Sequence, residues 1–327
     1  MDAIARDTLR ATASALVDHP RGIVALDAPS DRPEGPDHDF LQLVATTPDL
    51  DDHLNGLVLP ADALPRHTDD GRSFPRLLDA RGLLPGVRAD TGSASLPGSP
   101  GEVVTAGTDG LAERLAGYER AGIRFVACRS RTAVGNDVPT AWALRSNANV
   151  LARYARAAQD AGVVPLLHVG MVREGRHTAE QGAAALATAL TRLLVELDDA
   201  RVDLRAVVLS PATALPGLHS PQRIGPGDVA RLTLEVLRLV LPPELPGVAV
   251  HGPAPDRDTA VAVLAGLQDP TAPWPVTFCF GRSLTGPAVR AWRGRTWLAH
   301  RAQVEIARGV ERACTVLRPS RPPLRIA

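Results

Sequence analysis

The stretch of residues 123–168 reads IRFVACRSRTAVGNDVPTAWALRSNANVLARYARAAQDAGVVPLLH. A short run rich in apolar residues opens it at 123–129, and a second run closes it at 163–168. Between them, at 140–161, apolar residues recur at the spacing that places them on one face of a helix. Two short strands that flank one long helix form a β-α-β unit, so this stretch predicts a parallel sheet.

The same alternation continues in both directions and gives eight short apolar runs along the chain. Eight parallel strands that alternate with helices predict an α/β fold, the (β/α)8 TIM barrel. We expect the strands at 22–27, 56–59, 84–90, 123–129, 163–168, 206–210, 247–251 and 276–279. We expect helices at 109–120, 140–161, 178–198, 226–240, 256–267 and 296–317.

Local signals refine this outline. Thr108 is expected to cap the helix at 109–120 by accepting a backbone amide, and Gly122 is expected to end that helix. Residues 93–102 are rich in Ser, Pro and Gly and predict a loop. Because a single barrel can reach the length of this chain, we expect one domain over 1–317, followed by a short basic, proline-rich tail at 318–327.

Charge and composition argue against several kinds of partner. The 36 basic residues balance 36 acidic residues, so no net field favours nucleic acid or an anionic membrane. The N-terminus is polar and no apolar run reaches the length of a membrane span, so we expect a cytoplasmic protein. The three cysteines are too few for a disulfide framework. All 36 basic residues are arginine, so the chain contains no lysine.

Barrel enzymes place their chemistry at the C-terminal ends of the strands. Titratable, nucleophilic and anion-binding side chains occur there in this sequence. They are Asp27, Arg88, Asp90, Arg129, His168, Ser210, His251 and Cys279, with Arg282 just beyond the last strand.

Four segments, in order and with similar spacing, resemble the class I fructose-1,6-bisphosphate aldolases. They are RGIVALD at 21–27, TDGLAERLAGY at 108–118, NANVLARY at 147–154 and TFCFGRSL at 277–284. The resemblance runs from about residue 5 to about residue 315. It implies a TIM barrel, a lyase-like enzyme and an assembly of identical chains.

The sequence differs from the family pattern at the positions of the catalytic residues. The family forms an iminium ion with a lysine on strand six, in a Leu-Leu-Lys-Pro motif that reads Val-Leu-Ser-Pro here, with Ser210 at the lysine position. Serine cannot form this ion. The lysine of strand four falls on Ala127, the glutamate of strand five on His168 and the lysine of strand three on Arg88. Arginine stays protonated near neutral pH and offers no substitute nucleophile.

Other positions of the family pattern persist. Asp27, Asp90 and Arg129 match family residues, and Arg282 matches a phosphate-binding arginine after strand eight. The Ser-Gly-Gly after strand seven is replaced by Gly-Pro-Ala at 252–254, and proline has no amide hydrogen for a phosphate oxygen. We therefore expect a small anionic metabolite as ligand. The predicted anion-binding set is Arg88, Arg129, Arg282, His251, Gly252 and Cys279.

His168 is the candidate for proton transfer, because imidazole titrates near neutral pH. Asp27 and Asp90 could serve beside it as catalytic carboxylates. Alternatively, Arg88 and Arg129 hold these carboxylates in a buried ion network.

Several residues keep two interpretations. Ser210 is either a nucleophile or a filler of the space that a lysine side chain would occupy. His168 and His251, with Asp27 or Asp90, could form a two-histidine, one-carboxylate metal set, but scattered residues are not a metal motif. We therefore predict no metal ion and no cofactor. Cys128 is expected in the core, and five histidines are expected in solvent-facing loops: His38, His53, His67, His177 and His219.

The leading hypothesis is an enzyme that moves protons on a small anionic carbonyl or hydroxyl substrate with His168 and an aspartate. A second hypothesis is a catalytically silent relative that acts as a binding or scaffold protein. A third is a metal-assisted lyase on the same scaffold, which would require a bound divalent ion.

Overall fold

Eight parallel strands close into a barrel in the structure, a computed structural model that describes residues 3–26, 37–252 and 256–317. The barrel strands are β1 (Gly22–Ala25), β2 (Leu54–Leu59), β3 (Leu84–Arg88), β6 (Phe125–Thr132), β7 (Val164–Met171), β8 (Val208–Pro211), β9 (Val248–His251) and β10 (Val276–Phe280). Their order around the barrel is β1-β10-β9-β8-β7-β6-β3-β2. The predicted TIM barrel and its eight strands are confirmed.

Helices surround the barrel and follow its strands in the chain. They are α1 (Ala3–Leu16), α2 (His38–Ala45), α3 (Phe74–Ala80), α4 (Leu111–Arg120), α5 (Ala141–Asp160), α6 (Ala179–Asp199), α7 (Pro226–Val240), α8 (Arg257–Gly266), α9 (Arg282–Trp292) and α10 (Ala299–Thr315). Short 3-10 turns lie at Ala61–Ala63, Leu204–Ala206 and Thr296–Leu298. Within the described residues, no helix combines the length and apolarity that crossing a membrane requires.

Two local predictions are wrong. The segment 93–102 is not only a loop, because β4 (Ser93–Ser95) pairs antiparallel with β5 (Val103–Thr105). Thr108 does not cap α4 through its side chain. Gly110 occupies the N-cap in the left-handed conformation instead, with φ of 60° and no side-chain hydrogen bond. Gly122, with φ of 90°, ends this segment as predicted.

The sequence pattern did not predict four of these helices: α1, α2, α3 and α9. The helix α9 contains Pro287, a residue that normally argues against a helix interior. The helix α3 has only seven residues, which is too short for helical periodicity to show.

Alternating residues of the strands fill the inside of the barrel. On β7, Val164 and Leu166 belong to the inner apolar cluster, whereas Leu167 packs in the layer between strands and helices. The next inward position on this strand is His168. The ring of Phe125 fills the inner space against β3, where a Cβ atom at Gly86 would lie 2.2 Å from the ring. The apolar floor of the barrel therefore ends in a layer of polar side chains.

The contact between Phe125 and Gly86 yields a prediction about stability. Gly86→Ala should lower the free energy of unfolding by about 1–3 kcal/mol, because the added methyl group overpacks the barrel. Urea denaturation measures the change. Gly117→Ala in α4 is the control, since nothing lies within 4 Å of its added Cβ atom. The control should leave the stability unchanged or raise it by about 1 kcal/mol; equal losses in both variants would contradict the packing argument.

Candidate active site

Three polar residues stand in one row across neighbouring strands. Arg129 on β6 is the register partner of His168 on β7, and His168 is the partner of Ser210 on β8. Neighbouring strands lie about 4.8 Å apart, so the row brings a cation, an imidazole and a hydroxyl group to one side of the barrel mouth. Cys279 on β10 is the register partner of His251 on β9, which extends the polar layer around the barrel.

The carboxylate of Asp90 accepts four hydrogen bonds. Its Oδ1 accepts hydrogen bonds from Arg88 Nε at 3.0 Å, from Arg88 Nη2 at 2.6 Å and from the Gly92 amide at 3.1 Å. Its Oδ2 accepts from the Arg129 amide at 3.1 Å. The Asp90 side chain is 1% exposed. Of the two interpretations of this residue, these contacts favour the buried ion network, with the pairing made by the Arg88 side chain and the Arg129 backbone.

The imidazole of His168 meets that of His251 edge to face, with ring centroids 3.8 Å apart. His168 is buried, and its Nε2 has no hydrogen-bond partner among the described residues. Burial, the neighbouring His251 and the guanidinium groups of Arg129 and Arg88 hold the pKa of His168 well below its usual value. The imidazole is therefore neutral near pH 7 and can accept a proton.

Ser210 and Cys279 complete the polar layer of the mouth. Both are buried, and the Ser210 hydroxyl has no hydrogen-bond partner in the described part of the chain. Cys279 and His168 also line a cavity of about 20 Å³. The other described residues that line it are Ala25, Val58, Arg88, Asp90, Ala127, Arg129 and Leu166. The cavity thus lies between the cationic side of the mouth and the imidazole.

The N-terminus of α9 lies after β10, at the same end of the barrel as the residues above. Arg282 is the first residue of this helix and follows β10 after only Gly281. A helix N-terminus carries a partial positive charge that favours anions. The Ser283 hydroxyl is buried here, with no hydrogen-bond partner within the described ranges, and a Cβ atom at Gly252 would lie 3.5 Å from it. Ser283 was not among the predicted residues, although it stands beside Arg282 in the sequence.

The segment 147–154 holds the β4–β5 hairpin beside the site. The Asn147 side-chain oxygen accepts the Thr105 amide at 3.1 Å, and its nitrogen donates to the Val103 carbonyl at 2.8 Å. The Thr105 hydroxyl donates to the Arg129 carbonyl at 2.8 Å. The Tyr154 hydroxyl donates to the Gly107 carbonyl at 2.6 Å. These contacts connect the hairpin to the strand that carries Arg129, a role that the sequence analysis missed.

The structure brings together Arg88, Asp90, Arg129, His168, Ser210, His251 and Cys279 at the mouth, and places Arg282 and Gly252 around the start of α9. Asp27 and the 253–254 part of the strand-seven loop lie outside the described residues. Within the described residues, no three His, Cys, Asp or Glu side chains are arranged to hold a metal ion. The metal set with Asp90 as its carboxylate is therefore not assembled.

The prediction that His177 faces solvent is wrong, because this side chain is only 4% exposed. The loop after β7 folds against the loop after β8: the Gly217 amide donates to the His177 carbonyl at 2.9 Å. A Cβ atom at Gly217 would lie 3.0 Å from His177 Nδ1, so glycine permits this close approach. Burial and the charge of Arg173 lower the pKa of His177. The burial arises between two loops, which strand and helix patterns do not predict.

The lowered pKa of His168 makes a prediction about pH. Below its ordinary pKa of 6.5, the unfolded chain binds a proton at this residue while the folded chain does not. Stability should therefore fall as pH drops below 6.5, by up to about 1.4 kcal/mol per pH unit from this group. His168→Gln should show a shallower decline in urea denaturation between pH 7 and pH 5, while His19 and His177 contribute equally to both proteins. Parallel declines would contradict a neutral His168.

Comparisons with known proteins identify the family to which this fold is similar. The family model of class I fructose-bisphosphate aldolase matches residues 8–315. The chain is 29% identical over 299 residues to a probable fructose-bisphosphate aldolase class 1 of Xylella fastidiosa, covering 88% of this chain and 90% of the relative. It is 33% identical over 264 residues to fructose-bisphosphate aldolase 5, cytosolic, of Arabidopsis thaliana, covering 80% and 74%. A solved structure of fructose-bisphosphate aldolase from Plasmodium falciparum superposes with a TM-score of 0.92 at 26% identity, covering 97% of this chain and 96% of that chain.

Proposed function

Because this chain belongs to the class I fructose-bisphosphate aldolase family, we propose that it is an aldolase-like enzyme that works without an iminium ion. The observation that carries the proposal is the row of Arg129, His168 and Ser210 across three neighbouring strands. The row offers a cation, a neutral imidazole and a hydroxyl group, but no primary amine. Covalent imine chemistry needs a neutral amine, and no side chain of this sequence supplies one.

The charge distribution supports an anionic substrate. Among the described residues that line the mouth, Arg88 and Arg129 bring two guanidinium groups and Asp90 brings one carboxylate. Arg282 and the N-terminus of α9 add positive potential on the same face. Planar guanidinium groups bind phosphate or carboxylate through paired hydrogen bonds. We therefore propose a small anionic carbonyl or hydroxyl compound as substrate, bound by the set that also includes His251, Gly252 and Cys279.

His168 is the proposed proton-transfer residue. In its neutral form it accepts a proton from a substrate hydroxyl or carbon acid, and the resulting negative charge on the substrate is stabilised by the nearby guanidinium groups. Asp90 holds the Arg88 guanidinium and binds the backbone amide of Arg129. Asp27 remains the proposed carboxylate partner of His168, and Ser210 the proposed hydroxyl contact to the substrate.

The alternative is a catalytically silent binding protein. Its motivation is the absence of every lysine, which removes the family's catalytic amines. On this alternative the arginines still bind an anion, but no compound is converted. Both proposals predict anion binding, so a binding test examines only the anion site. A test of turnover distinguishes the enzyme from the silent binding protein.

The proposal also covers the cellular location, the domain organisation and the oligomeric state of the protein. The Arabidopsis relative is named as cytosolic, which supports a cytoplasmic location for this chain. We propose that residues 1–317 fold as one unit that unfolds in a single cooperative transition. Association of identical chains rests on the family resemblance and is measured by light scattering.

Anion binding should depend on the arginines of the mouth. In calorimetric titrations with inorganic phosphate, Arg129→Gln and Arg282→Gln should each weaken binding about tenfold, because each removes a charged hydrogen-bond donor. Arg290→Gln is the matched control, since it lies exposed further along the same helix as Arg282. Equal affinities in all four proteins, wild type included, would mean that phosphate binds elsewhere.

The family's covalent chemistry should be missing. Incubation with dihydroxyacetone phosphate and borohydride should leave every internal peptide of the chain at its unmodified mass, because no side-chain amine is available to form an imine. Fructose 1,6-bisphosphate should release no triose phosphate. A lysine-bearing class I aldolase is the positive control. Modification at the N-terminal amine alone leaves the proposal intact, whereas cleavage of fructose 1,6-bisphosphate would contradict it.

A further inference from the structure

The balanced total charge of the chain hides a local surplus of arginine. From residue 270 to residue 304 the sequence contains no aspartate and no glutamate, but it contains Arg282, Arg290, Arg293, Arg295 and Arg301. The last four lie where α9 ends and α10 begins, and all four are exposed. A neutral total charge therefore does not exclude an anionic partner for this region.

These four arginines have no acidic partner among the described residues. Within 3–26, 37–252 and 256–317, none of them takes part in an ion pair. Glu305, the next acidic residue along the chain, lies 3.6 Å from Arg257 instead. Exposed guanidinium groups that no described carboxylate neutralises create a positive potential, which attracts anions.

An exposed tryptophan lies among these arginines. Trp297 is 76% exposed and belongs to the short 3-10 turn Thr296–Leu298 between α9 and α10. The guanidinium carbon of Arg295 lies 5.5 Å from the centroid of its ring, within the range of a cation–π contact. Tryptophan is on average a highly buried residue, so this degree of exposure leaves a large aromatic face available to a partner.

The chain keeps these residues together as one surface, which we call the α9–α10 surface: Arg290, Arg293, Arg295, Trp297 and Arg301. Its consecutive members are two to four residues apart in the sequence. Arg293 and Gly294 both adopt the left-handed conformation, with φ of 53° and 68°, and turn the chain sharply between the two helices. Because α9 also packs against α10, the arginines of both helices stay close to the exposed indole.

We propose that the α9–α10 surface binds single-stranded nucleic acid, with its arginines on the phosphates and the Trp297 ring stacked on a base. The phosphodiester backbone supplies repeated negative charges for the arginines. A single strand also offers base faces that stack on aromatic side chains, whereas the bases of a duplex stack on one another. An acidic peptide supplies the charge but no base for the indole. The surface shares no residue with the barrel mouth, so this inference stands apart from the proposed function.

Fluorescence anisotropy with a labelled oligothymidine of about twelve nucleotides measures this binding. Trp297→Ala should weaken the affinity roughly tenfold or more, because one stacking contact is lost. Arg293→Gln and Arg301→Gln should each reduce the slope of log affinity against log salt concentration by about 0.7, because each removes one phosphate contact.

Matched controls come from α5, which follows β6, the strand opposite β10 in the closed barrel. Trp142→Ala removes another exposed tryptophan, and Arg153→Gln removes another exposed arginine. Both variants should keep the affinity and the salt slope of the wild type. Circular dichroism should show the wild-type spectrum for every variant, because all the replaced side chains are exposed.

Three results would overturn the proposal. The first is the absence of oligothymidine binding at low salt. The second is equal affinity for oligothymidine and polyglutamate together with no effect of Trp297→Ala, because the surface would then recognise charge alone. The third is loss of oligothymidine binding in Arg129→Gln with no effect of the α9–α10 variants, which would place the strand at the barrel mouth.

Discussion

The four hydrogen bonds accepted by Asp90 determine the layout of the barrel mouth. They fix the Arg88 side chain through two of its nitrogens and bind the backbone amides of Gly92 and Arg129. One carboxylate thereby joins strands β3 and β6 to the start of the hairpin. Removing one partner of such a buried pair typically costs about 3–5 kcal/mol, because the other charge stays buried. The Arg88 guanidinium, one of the two cations near His168, is thus held by this carboxylate.

Hydrogen bonds of this kind, made by side chains to the backbone, explain how a family fold can persist while its chemistry changes. The Asn147 and Tyr154 side chains bond to the backbone of Thr105 and Gly107, and the Thr105 hydroxyl donates to the Arg129 carbonyl on β6. These contacts serve the scaffold whatever reaction takes place above it. The groups that define the reaction project from strand ends and can be exchanged without disturbing the barrel. Here His168 and Ser210 stand where the family resemblance places a glutamate and a lysine. The fold is therefore shared with the aldolases, while the reaction has to be argued from the site.

The sequence predicted the barrel well, because each strand is a short apolar run between polar segments. Arg88 and His251 end their strands as expected, whereas β6 and β7 run on to Thr132 and Met171, beyond Arg129 and His168. The sequence failed where structure depends on packing between distant segments. His177 is buried by a neighbouring loop, and the helix that begins at Arg282 tolerates Pro287 in its interior. It also could not decide the role of Asp90, since a hydrogen-bond count requires coordinates. The edge-to-face contact of His168 with His251 joins residues of two different strands, so the sequence pattern alone could not predict it.

We propose above all that this barrel mouth catalyses a reaction through His168 and without a lysine. The most direct measurement is mass spectrometry of a mixture of small anionic metabolites incubated with the wild-type protein and, in parallel, with His168→Gln. We predict that the wild-type protein consumes at least one compound and that His168→Gln leaves the same compound unchanged. Consumption at equal rates by both proteins, or no consumption by the wild type, would contradict it.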